Sequence, residues 1–254
     1  MIIQGVDGGN SFDFGRTSEL YAKFRDIYPP ELYECLLTLG VGRAGTRWLD
    51  LGTGTGVLPL NLRGHGAEIV GTDVSAPQIN AAEAAAQEKG ADVRFLVSPA
   101  ETLPFADNSF DCVTAAQCFW YFEREKAIAE ICRVLKPNGL FVKVYLTYSL
   151  RDPIARRSYR LVKRLNPDWS SGSTGYRDVY NHPFPNGRVE VIDCDLPFTR
   201  ETWHGRMCAC RGTLASMDEE TFRIWDVRHR RILEKLPEHF TVRHRLYIAS
   251  YHVD

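Results

Sequence analysis

The sequence RWLDLGTGTGVL, residues 47–58, joins a short apolar run to a glycine-rich turn. Trp48, Leu49 and Leu51 can be buried on both faces, as a strand inside a parallel sheet must be. Alternating glycines then allow positive φ angles and let a ligand lie directly against the backbone. The stretch therefore predicts a strand, a glycine turn and a helix that begins near Gly56.

A second apolar run, residues 68–72, ends at Asp73. An acidic residue after the second strand of a βαβ unit is typical of sites that bind ribose hydroxyls. The turn has the spacing GxGxG rather than GxGxxG, and no Lys or Arg follows it to meet a pyrophosphate. These features predict a site for a nucleoside without phosphates. The alternative is a glycine turn that only packs.

Residues 57–146 alternate between helical and strand patterns, which is typical of a parallel α/β sheet. Ligands bind such sheets at the carboxyl ends of the strands, where Asp73, Ala100, Glu101 and Gln117 fall. Ser75 and Gln78 are predicted to form a capping box, and residues 136–139 to form a turn. The predicted elements are helices 57–63, 76–89 and 123–135 and strands 68–72, 93–97, 110–115 and 140–146.

The flanking regions are also predicted to be structured. Residues 18–39 have helical spacing in two pieces broken at Pro29 and Pro30, whereas residues 1–11 are expected to lie loosely on the surface. Tyr21 and Arg25 share a helix face and could close over a ligand; the alternative is a helix that covers a sheet edge. Later predicted elements are a helix at 152–165, a lid at 166–187, a strand at 189–198, a helix capped by Thr199 or Thr202, a helix at 218–236 and a strand at 240–253.

Composition excludes several classes of protein. The chain has 254 residues, 44% hydrophobic content and a net charge of −1, which favours a soluble protein and argues against a nucleic-acid partner. Its seven cysteines show no zinc-type spacing, so we expect reduced cytoplasmic thiols and no metal site. No apolar stretch approaches the ~18 residues needed to cross a bilayer, so no membrane association is expected.

Four motifs together resemble the class I S-adenosylmethionine-dependent methyltransferases: DLGTGTG at 50–56, GTD ending at Asp73, AETLPFADNSFD at 100–111 and EICRVLKPNG at 130–139. Over residues 14–146 the chain is most similar to small-molecule enzymes of the ubiquinone-biosynthesis and trans-aconitate type. The resemblance implies a Rossmann-like, seven-stranded, mostly parallel sheet with helices on both faces, an antiparallel last strand and a helical cap. It also implies a single domain, with an N-terminal cover (1–45), a cofactor core (46–146), a cap or lid insertion (147–187) and closing elements (188–254).

The cofactor that the resemblance implies is S-adenosylmethionine, with S-adenosylhomocysteine as product. Asp73 would bind the ribose hydroxyls, Gln117 would lie beneath the sulfonium, and Tyr21 and Arg25 would close over the methionine end. The family's usual adenine-binding acid is replaced by Pro99, so adenine recognition is expected to be altered. The implied cofactor-binding residues are Tyr21, Arg25, Asp50, Gly52, Thr53, Gly54, Asp73, Val74, Ala100, Glu101 and Gln117.

Methyl transfer to an aligned nucleophile needs a base only when the acceptor keeps its proton. Tyr121, His182, His204 and Tyr148 are candidate bases, and no sequence partner singles out any of them. The apolar loop AQCFWYF, residues 116–122, suits a small organic acceptor stacked on Phe119 or Trp120, although both rings could instead belong to the core. Basic residues of two later helices would suit an anionic acceptor or could simply be solvated: Arg156, Arg157, Arg160, Lys163, Arg164, Arg206 and Arg211.

These observations predict methyl transfer from S-adenosylmethionine to a small organic molecule. Two alternatives remain open at this point. One is a non-catalytic protein that binds S-adenosylmethionine or another nucleoside, and the other is a nicotinamide-dependent oxidoreductase. The GxGxG spacing disfavours the oxidoreductase.

Overall fold

The computed structural model describes residues 7–170 and 178–253. Residues 171–177 of the predicted lid lie outside the described residues. The described helices are α1 (Ser18–Phe24), α2 (Pro30–Leu39), α3 (Val57–Leu62), α4 (Ala76–Glu88), α5 (Arg124–Val134), α6 (Pro153–Leu165), α7 (Arg200–Cys208) and α8 (Glu219–Leu233). The described strands are β1 (Arg47–Leu51), β2 (Glu68–Asp73), β3 (Val93–Val97), β4 (Phe110–Ala116), β5 (Leu135–Tyr148), β6 (Arg188–Thr199) and β7 (His239–Val253).

The strands form one seven-stranded sheet in the order β3-β2-β1-β4-β5-β7-β6. Strand β1 pairs in parallel with β2 and β4, and the β2–β3 and β4–β5 pairs are also parallel. The sheet is mostly parallel with antiparallel pairing of the last strand, which confirms the predicted Rossmann-like class. None of the helices in the described ranges is long and apolar enough to cross a membrane.

The described chain divides into two compact units. The first unit contains residues 7–28, 146–170 and 192–245, and thus α1, α6, α7 and α8. The second contains residues 29–145, 178–191 and 246–253, and thus β1 to β4 and the glycine turn. The division of the chain into one domain with a cover and a cap remains a prediction.

Strand β1 lies at the centre of the second unit because its side chains are apolar on both faces. Trp48, Leu49 and Leu51 are completely buried. The chain runs from β1 outward through β2 to β3 and returns to place β4 on the other side of β1. At such a reversal of strand order, open α/β sheets bind ligands at the carboxyl ends of the strands, here β1 and β4.

The glycine turn after β1 requires glycine at two positions for steric as well as conformational reasons. Gly52 has φ 59°, and a Cβ there would lie 2.8 Å from the Cys118 sulfur. Gly56 has φ 75°, and a Cβ there would lie 2.7 Å from the Phe95 ring. Helix α3 begins directly after Gly56, as predicted.

Strand β5 begins earlier than the sequence predicted. Phe110 of β4 pairs with Leu135, whereas Cys112 pairs with Leu140, so residues 136–139 form an irregularity inside the strand. Asn138 within it has φ 60°. The predicted turn therefore lies inside the strand as an irregularity, with pairing to β4 on both sides of it.

The capping box predicted at Ser75 and Gln78 is wrong. Ser75 is the N-cap of α4, but its side chain makes no capping hydrogen bond, and Gln78 is buried instead of reaching back to Ser75. A capping box is present at α7, where the Thr199 hydroxyl accepts from the Thr202 N–H and the Thr202 hydroxyl accepts from the Thr199 N–H. The predicted cap at Thr199 is confirmed.

The expectation that residues 1–11 lie loosely on the surface is wrong for Asp7, which is buried, whereas residues 8–11 are exposed. The Asp7 carboxylate lies 2.7 Å from the guanidinium of buried Arg211 and accepts a hydrogen bond from the Ser170 N–H at 2.7 Å. This ion pair holds the segment in place, because each buried charge needs the other. Residues 1–6 lie outside the described residues.

Candidate functional site

A buried carboxylate, Asp50, ties the glycine turn to the centre of the sheet. Asp50 accepts hydrogen bonds from the Thr53 hydroxyl at 2.7 Å and from the Thr114 hydroxyl at 2.5 Å. The Thr114 oxygen in turn accepts from the Trp48 indole N–H at 2.8 Å. Burial raises the pKa of Asp50 to about 7, against the lowering effect of these hydroxyls. Asp50 therefore fixes the path of the turn.

A second carboxylate, Asp73, stands at the end of β2 and faces the same turn. One of its oxygens accepts from the Gly54 N–H at 3.0 Å and the other from the Ser75 N–H at 2.9 Å. Burial raises the pKa of Asp73, whereas these backbone donors act to lower it. The side chain is only half-buried. Asp73 therefore combines a fixed position with oxygen lone pairs that a ligand can reach.

The residues around Asp73 combine an exposed apolar surface with a bound carboxylate. Val74 is 55% exposed, which is unusual for a large aliphatic side chain, and Ala100 is buried. Glu101 accepts a hydrogen bond from the Glu123 N–H at 2.7 Å, at the start of α5. One Glu101 oxygen is thus occupied by the protein itself, while Pro99 offers no polar side-chain atom.

The loop after β4 contains a strained residue and an unsatisfied donor. Gln117 has φ 62°, a conformation uncommon for residues other than glycine and enriched at functional sites. Its N–H donates to the Val144 carbonyl at 2.8 Å, which holds this conformation. The indole N–H of Trp120 is buried and has no hydrogen-bond partner among the described residues. A bound ligand with an acceptor atom would satisfy it.

The structure brings together four of the predicted residues of the second unit. Asp50, Thr53, Gly54 and Asp73 are joined by direct hydrogen bonds, and the Cys118 thiol beside Gln117 donates to the Leu51 carbonyl at 3.1 Å. A half-buried acid, a glycine-rich turn and an unsatisfied N–H fit a nucleoside with a polar tail. Tyr21 and Arg25 belong to the first unit, where the guanidinium lies 5.0 Å from the tyrosine ring.

The candidate bases differ in their environments. His182 shares a hydrogen bond of 3.0 Å with the Tyr251 hydroxyl, and the half-buried Tyr121 packs against Trp120. Tyr148 lies under the guanidinium of Arg206 at 4.8 Å. His204 is only 4% exposed and uses both ring nitrogens, one with Asp226 and the other with His229, each at 2.8 Å. His204 therefore presents no open ring nitrogen to a substrate.

The basic residues of the first unit also fall into distinct groups. Arg156, Arg157, Arg160 and Arg164 are exposed on α6, whereas Lys163 bonds the carbonyls of Pro167 and Trp169. Arg211 is neutralised by Asp7. Arg206 is 3% exposed and, within the described part of the chain, forms no ion pair with a carboxylate.

The described neighbours of the Arg206 guanidinium are sulfur atoms and aromatic rings rather than carboxylates. Its guanidinium donates weakly to the sulfurs of Met207 and Cys210, at 3.7 and 3.4 Å, and lies 5.3 Å from the Trp203 ring. Its Nε has no partner among the described residues. Burial lowers the pKa of the guanidinium, and the nearby charge of Arg25 acts in the same direction. Sequence spacing could not single out Arg206, because burial alone distinguishes it from the exposed arginines.

His244 lies near Arg206 and is neutral in the folded protein. We therefore expect the protein to lose stability in acid. Burial, followed by the charge of Arg206, lowers the pKa of His244 to about 3, so the unfolded chain binds more protons between pH 6.5 and 3. Protonation of the unfolded chain costs about 2 to 3 kcal/mol of stability by pH 4.5. The His244→Phe variant retains the stacking with Phe198 and lacks this titration.

Urea unfolding at pH 7 and pH 4.5 measures the effect. The stability lost between the two pH values should be smaller in His244→Phe than in the natural chain by the amount above. The difference between the two chains must be used because Asp50 is present in both. Its pKa, raised to about 7, makes its own contribution to stability increase as the pH falls, opposite to that of His244. An equal loss in both chains would mean that His244 titrates normally in the folded state.

Comparison with known proteins identifies the core of this arrangement. Residues 49–143 match the family described as "Methyltransferase domain". The chain is 47% identical over 107 residues to demethylmenaquinone methyltransferase of Thermus thermophilus, over 41% of this chain and 49% of that protein. It is 33% identical over 158 residues to the uncharacterized methyltransferase YcgJ of Bacillus subtilis, over 61% of this chain and 62% of YcgJ.

A solved structure extends the similarity at the level of the fold. The crystal structure of YcgJ superimposes with a TM-score of 0.55 and 24% identity, covering 88% of this chain and 100% of that one. The matched sequence spans only about half to three-fifths of the curated relatives' lengths. The cofactor of the matched family is S-adenosylmethionine. Over residues 49–143, the chain thus resembles the class I S-adenosylmethionine-dependent methyltransferases.

Proposed function

We propose that this protein transfers a methyl group from S-adenosylmethionine to a small organic acceptor. The observation that carries the proposal is the joining of Asp73 to the glycine turn through the Gly54 N–H, at the sheet edge where this family binds its cofactor. S-adenosylmethionine supplies an activated methyl group on a sulfonium. The protein's contribution is to bind and align the two molecules.

Most of the proposed cofactor residues have a role that their environment supports. Asp73 accepts hydrogen bonds from the ribose hydroxyls, and Val74 with Ala100 borders the adenine. Gly52, Thr53 and Gly54 carry the methionine half, in a turn whose path Asp50 holds. Gln117 stands at the acceptor side. The remaining members of the proposed set are Glu101, Tyr21 and Arg25.

The acceptor, we further propose, is anionic, and Arg206 binds its charge. A buried guanidinium without a carboxylate is costly, and a ligand carboxylate or phosphate would offset that cost. Arg206 supports this assignment better than the exposed arginines of α6, which water already solvates. The aromatic rings of Tyr148 and Trp203 around it would pack against an organic acceptor.

Arg206→Met is expected to reduce activity without reducing stability. The KM for an anionic acceptor should rise roughly 10- to 150-fold, the equivalent of one hydrogen bond to a charged group. The Kd for S-adenosylmethionine should not change. The melting temperature should stay level or rise, because a buried unpaired charge is removed. In the control, Arg211→Met, the melting temperature should fall because Asp7 loses its partner.

Formation of S-adenosylhomocysteine with a panel of acceptors tests both proposals. The panel should pair neutral quinones with carboxylate- and phosphate-bearing small molecules, and it should include demethylmenaquinone because a relative is named for it. Turnover of neutral acceptors alone, insensitive to Arg206→Met, would overturn the anionic assignment. Cofactor binding without turnover of any fraction of a metabolite extract would favour a non-catalytic binding protein.

A further inference from the structure

Three side chains of the kinds that bind zinc meet between α7 and α8. His204 and Cys208 stand four residues apart on α7 and so share one face of the helix, and Asp226 lies on α8. One ligand atom from each residue lies within 4.8 Å of the other two. We propose that His204, Cys208 and Asp226 bind a divalent transition-metal ion, and that Zn²⁺ is the ion that suits them best.

The distances are close to those of a zinc site. Tetrahedral zinc holds nitrogen, oxygen and sulfur ligands at about 2.0 to 2.3 Å, which separates the ligand atoms by about 3.4 to 3.6 Å. His204 Nε2 lies 2.8 Å from Asp226 Oδ1, so these two atoms must part by about 0.6 Å while the thiol approaches. Three protein ligands leave the fourth position for water.

The charges also suit a divalent ion. A thiol binds a metal ion only as the thiolate, so the metal must displace the proton of Cys208. Asp226 lies 2.8 Å from His204 Nε2 and 3.1 Å from the Arg230 guanidinium, which favour its carboxylate form. One thiolate and one carboxylate then neutralise the ion at a place where His204 and Cys208 are almost fully buried.

A chain of hydrogen bonds behind His204 provides the outer support that metal-binding histidines need. His204 Nδ1 lies 2.8 Å from His229 Nδ1, and His229 Nε2 lies 2.8 Å from the Ser158 hydroxyl. The Trp203 indole N–H donates to the same hydroxyl at 2.9 Å. Every polar atom of this chain has a partner.

Without metal, and with both histidines neutral, only one donor-to-acceptor direction is possible along this series of hydrogen bonds. An indole N–H can only donate and an ionised carboxylate can only accept. Ser158 therefore accepts from Trp203 and donates to His229, His229 donates to His204, and His204 donates to Asp226. Burial lowers the pKa of both histidines, which favours this neutral arrangement.

With a metal ion on His204 Nε2, the donor and acceptor roles in these hydrogen bonds can reverse without any gain or loss of a proton by the two histidines and Ser158. His204 then carries its proton on Nδ1 and donates to His229 Nδ1, and His229 donates from Nε2 to the Ser158 oxygen. The Ser158 hydroxyl keeps its proton and turns away from His229. The Cys208 thiol alone gives its proton to solvent, so binding should release about one proton per metal ion near neutral pH.

Spectroscopic titration of the chelator-treated full chain with Co²⁺, followed by competition with Zn²⁺, tests the proposal. A thiolate-to-cobalt charge-transfer band should grow to one equivalent and disappear when Zn²⁺ displaces Co²⁺. The band should be lost in Cys208→Ser, and affinity should fall at least tenfold in Asp226→Asn. His229→Gln, which changes only the outer support, should weaken binding by about 10- to 100-fold.

Cys210→Ser is the matched control, because Cys210 is two residues away and bonds the Arg206 carbonyl with its thiol. It should bind Co²⁺ like the natural chain, as should Cys132→Ser, which removes an exposed thiol. Calorimetry in buffers of different ionisation enthalpy counts the released proton in the unmutated chain. A saturated natural chain without a thiolate band, or a band that survives in Cys208→Ser, overturns the proposal. Neither result bears on methyl transfer.

Discussion

Replacement of Asp73 by alanine is expected to weaken the binding of S-adenosylmethionine by roughly 10- to 150-fold. The carboxylate already accepts the Gly54 N–H at 3.0 Å and the Ser75 N–H at 2.9 Å, so it is fixed before a ligand arrives. Two ribose hydroxyls would share its remaining lone pairs. Hydrogen bonds to a charged group contribute about 1.5 to 3 kcal/mol, which sets the range.

Calorimetry with S-adenosylmethionine and S-adenosylhomocysteine measures the loss. The two ligands share their ribose, so their affinities should fall by the same factor. Asp92→Asn is the control, because Asp92 is an exposed acid at the opposite end of β3 from the site. Unchanged affinity in Asp73→Ala would mean that the ribose site has been misplaced.

The arrangement of strand, turn and acid around Asp73 could be predicted because its signals are local. Strand β1, the turn and strand β2 follow one another within 30 residues, and each has a pattern that few other structures share. Gly52 is an example, because a glycine in a turn by itself predicts a positive φ. The close approach of Cys118 is a second reason for glycine at this position.

Contacts between distant parts of the chain could not be predicted in the same way. Asp226 follows Cys208 at a distance that matches no zinc motif, and the two helices that carry them are aligned only by packing. The sequence predicts a loose terminus around Asp7, because no residue near Asp7 in the sequence indicates its ion pair with Arg211. The predicted capping box at Ser75 is wrong for a related reason. The Gln78 side chain, which the local motif requires at the helix start, is buried in the core instead.

A second contact of this kind holds a buried lysine. The Lys143 side chain on β5 is completely buried, and its ammonium lies 3.1 Å from the Asp178 carboxylate. Lys143 also donates to the Asp178 and Asn181 carbonyls at 2.6 and 3.2 Å. Tyr145 and Arg124 donate to the same carboxylate at 2.6 and 3.0 Å. Asp178 is thus the shared acceptor of three donors.

Replacement of Asp178 by asparagine should therefore destabilise the protein by about 3 to 5 kcal/mol, because it leaves the buried lysine without a counter-charge. For a chain of this size, the melting temperature should fall by roughly 6 to 20 °C. Tyr145→Phe should cost less, because it removes one donor and no charge. Thermal and urea unfolding at pH 7 measure both variants.

The double variant Lys143→Met with Asp178→Asn separates the charge effect from a general loosening of residues 178–181. With no ammonium left to compensate, it should recover most of the stability that the single variant loses. The pH dependence gives an independent check. Burial, opposed by Asp178, lowers the pKa of Lys143 to about 8. Between pH 8 and 10.5 the unfolded chain therefore binds more protons than the folded chain. The free energy of unfolding accordingly rises with pH over this range.

In Asp178→Asn the pKa of Lys143 should fall further, so the gap in stability between the variant and the natural chain should narrow as the pH rises. The gap should remain constant in Tyr145→Phe below the titration of tyrosine. If the single and double variants lose the same stability, and the gap does not narrow with pH, then the loss comes from the hydrogen bonds of the Asp178 segment. The lysine would then tolerate burial through the carbonyls of Asp178 and Asn181 alone.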